Sequence, residues 1–187
     1  VQDSGIGMND EDLTANLGTI ARSGTKAFIE ALENEAKKDS ALIGQFGVGF
    51  YSAFMAASKI DVITKKAGTE KVYKWTSNGT NSYDLEELSI DREESKKYGF
   101  DKEGTHGSAI VMSLNDESTE YASRWKVEDL IKKYSDHIAF PIYLHYSQNK
   151  YDDKGNVTGS ENKVDQVNSA SALWKKSKSE LKPEDYN

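Results

Sequence analysis

The feature that most constrains this chain is a change of hydrophobic period at Ser58. Beyond it, Ile60-Asp61-Val62-Ile63-Thr64 and Lys71-Val72-Tyr73-Lys74-Trp75 are β-branched and aromatic and are joined across Ala67-Gly68, the pattern of an antiparallel hairpin. Residues 83–85 add an edge, and Ser108-Ala109-Ile110-Val111-Met112-Ser113-Leu114 reads as a further strand. Before Ser58 the signals are helical. Asn9 suits an N-cap, and Asp10, Glu11 and Asp12 place acids at the positive end of a helix that ends near Gly18. Phe28, Ala31, Leu32 and Glu35 sit at helical spacing within 26–37, between the glycine-bearing stretches Ser23-Gly24-Thr25 and Leu42-Ile43-Gly44, and a third helix is expected over 50–57. Later, Val127, Leu130, Ile131 and Tyr134 recur at i, i+3, i+4 and i+7 on a helix, and 142–146 reads as a last strand. The lysines and acids of 89–103 read as a solvated surface connection, and 151–156 as a turn or short linker. The core therefore mixes helices with an antiparallel sheet.

Charge and composition remove several functions. The 187 residues carry 24 Lys and Arg against 31 Asp and Glu, a formal net charge of -7, without the basic surplus with which nucleic-acid binders neutralise phosphates. No run reaches the roughly 18 apolar residues of a membrane span, and no basic-then-apolar leader opens the chain. With no cysteine, disulfides and thiolate metal sites are excluded, which fits a reducing compartment such as the cytoplasm. Asn78-Gly79-Thr80 and Asn156-Val157-Thr158 have the form of glycosylation acceptors and read as surface loops. The opening Val1-Gln2-Asp3-Ser4-Gly5 goes straight into a glycine-rich turn, so a start in mid-domain is expected.

Three short motifs carry chemistry. Asp3-Ser4-Gly5-Ile6-Gly7-Met8 sets a carboxylate before two glycines, where backbone can approach a planar ligand while the acid accepts a hydrogen bond; alone, it is equally a tight turn. Gly44-Gln45-Phe46-Gly47-Val48-Gly49-Phe50 precedes an expected helix, so its N–H groups could hold a polyphosphate; alone, it is a closely packing loop. It is neither a Rossmann fingerprint nor a P-loop, because no strand precedes it and no Gly-Lys-Ser/Thr follows. Gly104-Thr105 puts a hydroxyl just ahead of the strand at 108–114; alone, Thr105 is a turn residue. His106, His137 and His145 have no triad or metal spacing and read as structural.

The order of these motifs resembles the GHKL ATP-binding fold shared by gyrase, MutL, sensor histidine kinases and ninety-kilodalton heat-shock chaperones. Within it, Asn16-Leu17-Gly18-Thr19-Ile20-Ala21-Arg22-Ser23-Gly24-Thr25-Lys26 and Ile43-Gly44-Gln45-Phe46-Gly47-Val48-Gly49-Phe50-Tyr51-Ser52 are similar, nearly letter for letter, to the lid and phosphate loop of the chaperones of bacterial HtpG type. The likeness runs from Asp3 to about Tyr146, and Ala172-Leu173-Trp174 with Lys178-Ser179-Glu180-Leu181 resembles the opening of that family's middle domain. The short link between them, without a long acidic insert, points to a bacterial or organellar form.

The resemblance implies a two-layer α/β sandwich of Bergerat type, mainly antiparallel with helices on one face, over 1–147 with a lid at about 18–49, and a linker and start of a middle domain over 148–187. It implies ATP or ADP with magnesium as ligands, client proteins as partners, a homodimer in the longer protein, and neither nucleic acid nor membrane. Asp3 would take the adenine amino group, Gly7 and Met8 would line the base pocket, and Thr105 would join that hydrogen-bond cluster. Asn16, Leu17, Arg22 and Ser23 fall near ribose and phosphates, with Arg22 where many members have Lys. Gly44, Gln45, Phe46, Gly47, Val48, Gly49 and Phe50 would form the phosphate loop. The family's general-base Glu and magnesium-ligating Asn correspond to a helix upstream of Val1, so no catalytic or metal residue is assigned within the chain, and 1–187 alone is expected to be inactive in hydrolysis. A nucleotide-binding module without turnover, and a gyrase- or MutL-type ATPase, are the alternatives.

Overall fold

A computed structural model describes residues 1–18, 48–80 and 82–170. The helix expected over 26–37 lies outside the described residues, as does most of the lid. The chain forms two compact units, Val1–Ser118 and Thr119–Asn187.

The first unit is built on five strands: β1 (Gln2–Asp3), β2 (Ala57–Lys65), β3 (Val72–Ser77), β4 (Asp84–Leu88) and β5 (Gly107–Leu114), in the order β1-β5-β2-β3-β4 with every pairing antiparallel. The expected hairpin across Ala67-Gly68 is β2–β3, with Val62 opposite Trp75. β2 is buried at almost every position after Lys59, because both faces of the sheet are covered. On one face Ile60, Val62, Tyr73 and Trp75 pack with Leu13 of α1 (Asp10–Asn16) and with Phe50, Ala53 and Phe54. Fully burying a side chain such as Leu13 stabilises by about 1.5–3 kcal/mol, so this face fixes where α1 sits. Asn9 caps α1 as expected: its side chain accepts from Asp12 N at 2.9 Å while the Asp12 carboxylate accepts from Asn9 N at 3.2 Å. Residues 50–55 are a 3-10 helix rather than the expected α-helix, and the chain turns into β2 at Ala57.

The other face corrects the expectation for 89–103. This stretch forms α2 (Glu93–Lys97) and then a turn whose Phe100, 1% exposed, packs with Ile63, Val72, Leu88 and Ala109. Ser95 is fully buried and donates to the Ser89 carbonyl. One aromatic residue among lysines and acids is enough to tie such a segment down. Lys65, 1% exposed, reinforces it by donating to Glu70 at 3.2 Å and to the Phe100 carbonyl at 3.4 Å.

Asp61 faces the same side. Burial by itself pushes its carboxyl up, but the Thr76 hydroxyl at 2.6 Å, the Lys59 ammonium at 2.9 Å and the charge of Lys74 outweigh it and hold the carboxyl below the ordinary value of 3.8. A depressed folded-state value means stability that is complete above 3.8 and is lost as pH falls through the lower folded value. Acid unfolding followed by circular dichroism should therefore lose part of its pH dependence below 3.8 in Asp61→Asn. An unaltered acid limb would show that Asp61 contributes nothing to it.

In the second unit, α3 (Arg124–Ser135) carries the expected Val127, Leu130, Ile131 and Tyr134, and β6 (Tyr143–Tyr151) replaces the shorter strand expected at 142–146. The turn at 151–156 closes a hairpin with β7 (Val157–Gln166), a strand that sequence reading took for linker. Polar residues dominate β7, so no apolar alternation announced it. The Arg124 guanidinium lies 3.6 Å from the Tyr146 ring and pairs with Asp165 at 3.2 Å, and Tyr146 donates to the same carboxylate at 2.7 Å. Buried Asn168 accepts from Ile142 N and donates to the Ile138 and Phe140 carbonyls, joining the end of α3 to the start of β6.

Candidate nucleotide site

Asp3 ends the edge strand β1, paired with Ser108 of β5. Its Oδ1 accepts from Gly5 N at 2.8 Å and from Ser108 N at 3.3 Å, which leaves Oδ2 without a partner among the described residues. The loop after Asp3 is held at each step: the Gly5 carbonyl lies 2.7 Å from His106 Nδ1, the Ile6 carbonyl accepts from Ala67 N at 2.7 Å, and Met8 N donates to Thr64 Oγ1 at 3.0 Å. Gly7 has φ +68 and is so close to β2 that an added Cβ would lie 1.9 Å from the Lys65 carbonyl oxygen. The glycine motif is therefore required by close approach of loop to strand as well as by conformation. Met8 packs against the helix-side core.

The remaining expected residues fall into three groups. Asn16 closes α1, and Leu17 packs on the same core, its carbonyl accepting from Tyr51 at 2.8 Å. Burial pushes the Tyr51 phenol up, so it remains a donor at neutral pH. Phe50 packs edge-on against Trp75 with ring centres 5.7 Å apart, Val48 is half exposed, and the Gly49 carbonyl accepts from Ser52 Oγ. Arg22, Ser23, Gly44, Gln45, Phe46 and Gly47 lie outside the described residues.

Thr105 is not brought into the Asp3 cluster. Its hydroxyl donates to the Lys102 carbonyl at 2.6 Å within its own turn. The residue paired with Asp3 is Ser108, whose backbone N–H donates to Asp3 Oδ1 and whose hydroxyl bonds to Thr64 at 3.0 Å. Sequence reading missed both residues, although a signal existed. Ser108, Ile110 and Met112 alternate along β5, and Ile110 and Met112 face the helix-side core, so Ser108 must face the same way. The fold thus presents a two-layer α/β sandwich with a carboxylate and a hydroxyl at the edge of its helix-covered face, beside a glycine loop pressed against the sheet.

Residues 1–105 match the model of the histidine kinase-, DNA gyrase B- and HSP90-like ATPases, and the chain belongs to that family. Over its whole length it is similar to chaperone protein HtpG of Treponema pallidum, at 61% identity, to that of Treponema denticola, at 59%, and to that of Wolinella succinogenes, at 54%. The chain spans only 29%, 29% and 27% of those three proteins.

Proposed function

We propose that this chain is the nucleotide-binding part of an ATP-driven chaperone of the HtpG kind, in which binding and hydrolysis of ATP drive lid closure and dimer clamping on client proteins. The observation that carries the reading is the Asp3 carboxylate, anchored through Oδ1 by two backbone donors and free at Oδ2 to accept from an adenine amino group. In this reading Gly7 and Met8 line the base, with Ser108 in the role expected of Thr105. Asn16, Leu17, Arg22 and Ser23 lie along ribose and phosphates, and 44–50 supplies N–H donors to the phosphates. Magnesium comes with the phosphates of ATP. The protein acts in the cytoplasm as a homodimer, independent of nucleic acid and membrane.

The reading assigns binding to this chain and the hydrolytic base to a Glu outside it. Isothermal titration of residues 1–187 with ADP should show one site. Steady-state turnover of ATP should be at background and should rise when the chain is assayed as part of the longer protein. Absence of ADP binding would overturn the nucleotide reading. Turnover by 1–187 that survives removal of contaminating ATPases would move the base to an acid within it.

A further inference from the structure

The hydroxyl of Thr64 is the most heavily used polar group near the candidate site, and it fixes the direction of protons around it. Thr64 is fully buried at the sheet end of the Asp3 loop. Its Oγ1 lies 2.8 Å from the Gly107 carbonyl oxygen, 3.0 Å from Met8 N and 3.0 Å from Ser108 Oγ. A carbonyl oxygen cannot donate, so the single Thr64 proton must point to Gly107. The Met8 N–H points into Thr64. The proton between Thr64 and Ser108 then has to be that of Ser108, because Thr64 has spent its own. Ser108 Oγ is left with lone pairs only, on the β5 residue paired with Asp3, whose carboxylate likewise only accepts.

We propose that Thr64 is a specificity-determining residue, which orients the Ser108 hydroxyl as an acceptor and thereby makes the inner end of the site complementary to a ligand edge bearing an amino group and hostile to one bearing a carbonyl. The proposal rests on the nucleotide reading above and adds to it a cause for base choice. Adenine presents N–H donors at its 6-position, whereas hypoxanthine presents an oxygen there. Against two fixed acceptors the oxygen meets lone pairs, and a buried polar group left facing its like is the strongest source of discrimination between near-isosteres. Thr64 acts through Ser108 and is a positioning residue rather than one that touches the base.

The test is titration of the 187-residue chain with ADP and with IDP, in wild type, Thr64→Val, Thr64→Ser and Ser108→Ala. Wild type should prefer ADP. Thr64→Val frees the Ser108 proton, so the ADP-over-IDP preference should narrow by about tenfold, the equivalent of one hydrogen bond changing sign. Thr64→Ser restores the hydroxyl and should restore the preference, which a purely packing role for the lost oxygen does not require. Ser108→Ala removes the acceptor, and should weaken ADP binding while relieving part of the penalty against IDP. A Thr64→Val protein with the wild-type preference overturns the proposal. If Thr64→Val fails to fold, unchanged ADP affinity in Ser108→Ala overturns it instead. Wild type that binds neither nucleotide removes the nucleotide reading itself, and wild type that binds ADP with an insensitive ratio removes only the role of Thr64.

Discussion

Asp3→Asn is expected to abolish measurable ADP binding while the chain stays folded. The carboxylate places Oδ1 under two backbone donors and offers Oδ2 outward, so both oxygens must accept. An asparagine amide has one acceptor. If its oxygen takes the Oδ1 position, its NH2 points at the adenine amino group, donor against donor. If it flips, the NH2 meets Gly5 N–H and Ser108 N–H. Neither orientation satisfies the site. Losing a contact that involves a charged group, together with the donor clash, costs roughly 3 kcal/mol, about a hundredfold in affinity. Asp3 is exposed, so the melting temperature should move little. Calorimetry with ADP and a thermal scan on the same sample decide the matter. Wild-type affinity in the variant would remove Asp3 from the site.

Among the described glycines of the first unit, Gly7 is where an added methyl, as in Gly7→Ala, is expected to do the most damage. The position has φ +68, where a non-glycine residue costs about 1–2 kcal/mol. The greater cost is steric. The new Cβ would sit 1.9 Å from the Lys65 carbonyl oxygen and 2.6 Å from its carbonyl carbon. Lys65 is held in β2 between Val72 and Gly107, so its backbone cannot retreat without opening the sheet. The loop must move instead, and it then forfeits the Met8–Thr64 bond. A total near 3 kcal/mol implies a fall in melting temperature of more than about 10 °C for a unit of this size, together with loss of ADP binding. Gly68→Ala is the control. Its φ is +77 but nothing lies within 4 Å of an added Cβ, so only the conformational cost remains. Equal melting temperatures for the two variants would mean that the loop does not press against β2.

The two variants separate what one motif encodes. Asp3 and Gly7 were both marked by sequence reading as parts of a ligand-approach turn; Asp3 ends β1 opposite Ser108, and Gly7 lies against Lys65 of β2. The reason for Gly7 was only half legible. A positive φ belongs to the local chain, but contact with Lys65 exists only after two distant stretches of chain have been brought together. Ser108 shows the same limit from the other side. Gly104-Thr105 and Gly107-Ser108 are chemically similar pairs close together in the chain, and only pairing with Asp3, across 105 residues, selects the second.

By itself the sequence determined the antiparallel hairpin at Ala67-Gly68, the strand at 108–114, the capped helix after Asn9 and the glycine turn after Asp3, because each is written in neighbouring residues as period, cap or permitted backbone angle. It also determined the family, through the order of those motifs. Tertiary structure alone decided that Phe100 and Lys65 close the second face of the sheet, that 157–166 is a strand, and that Thr64 sets the polarity of Ser108. Those outcomes depend on which distant groups share a face and a register, and a partner's distance along the chain leaves no mark in the local pattern.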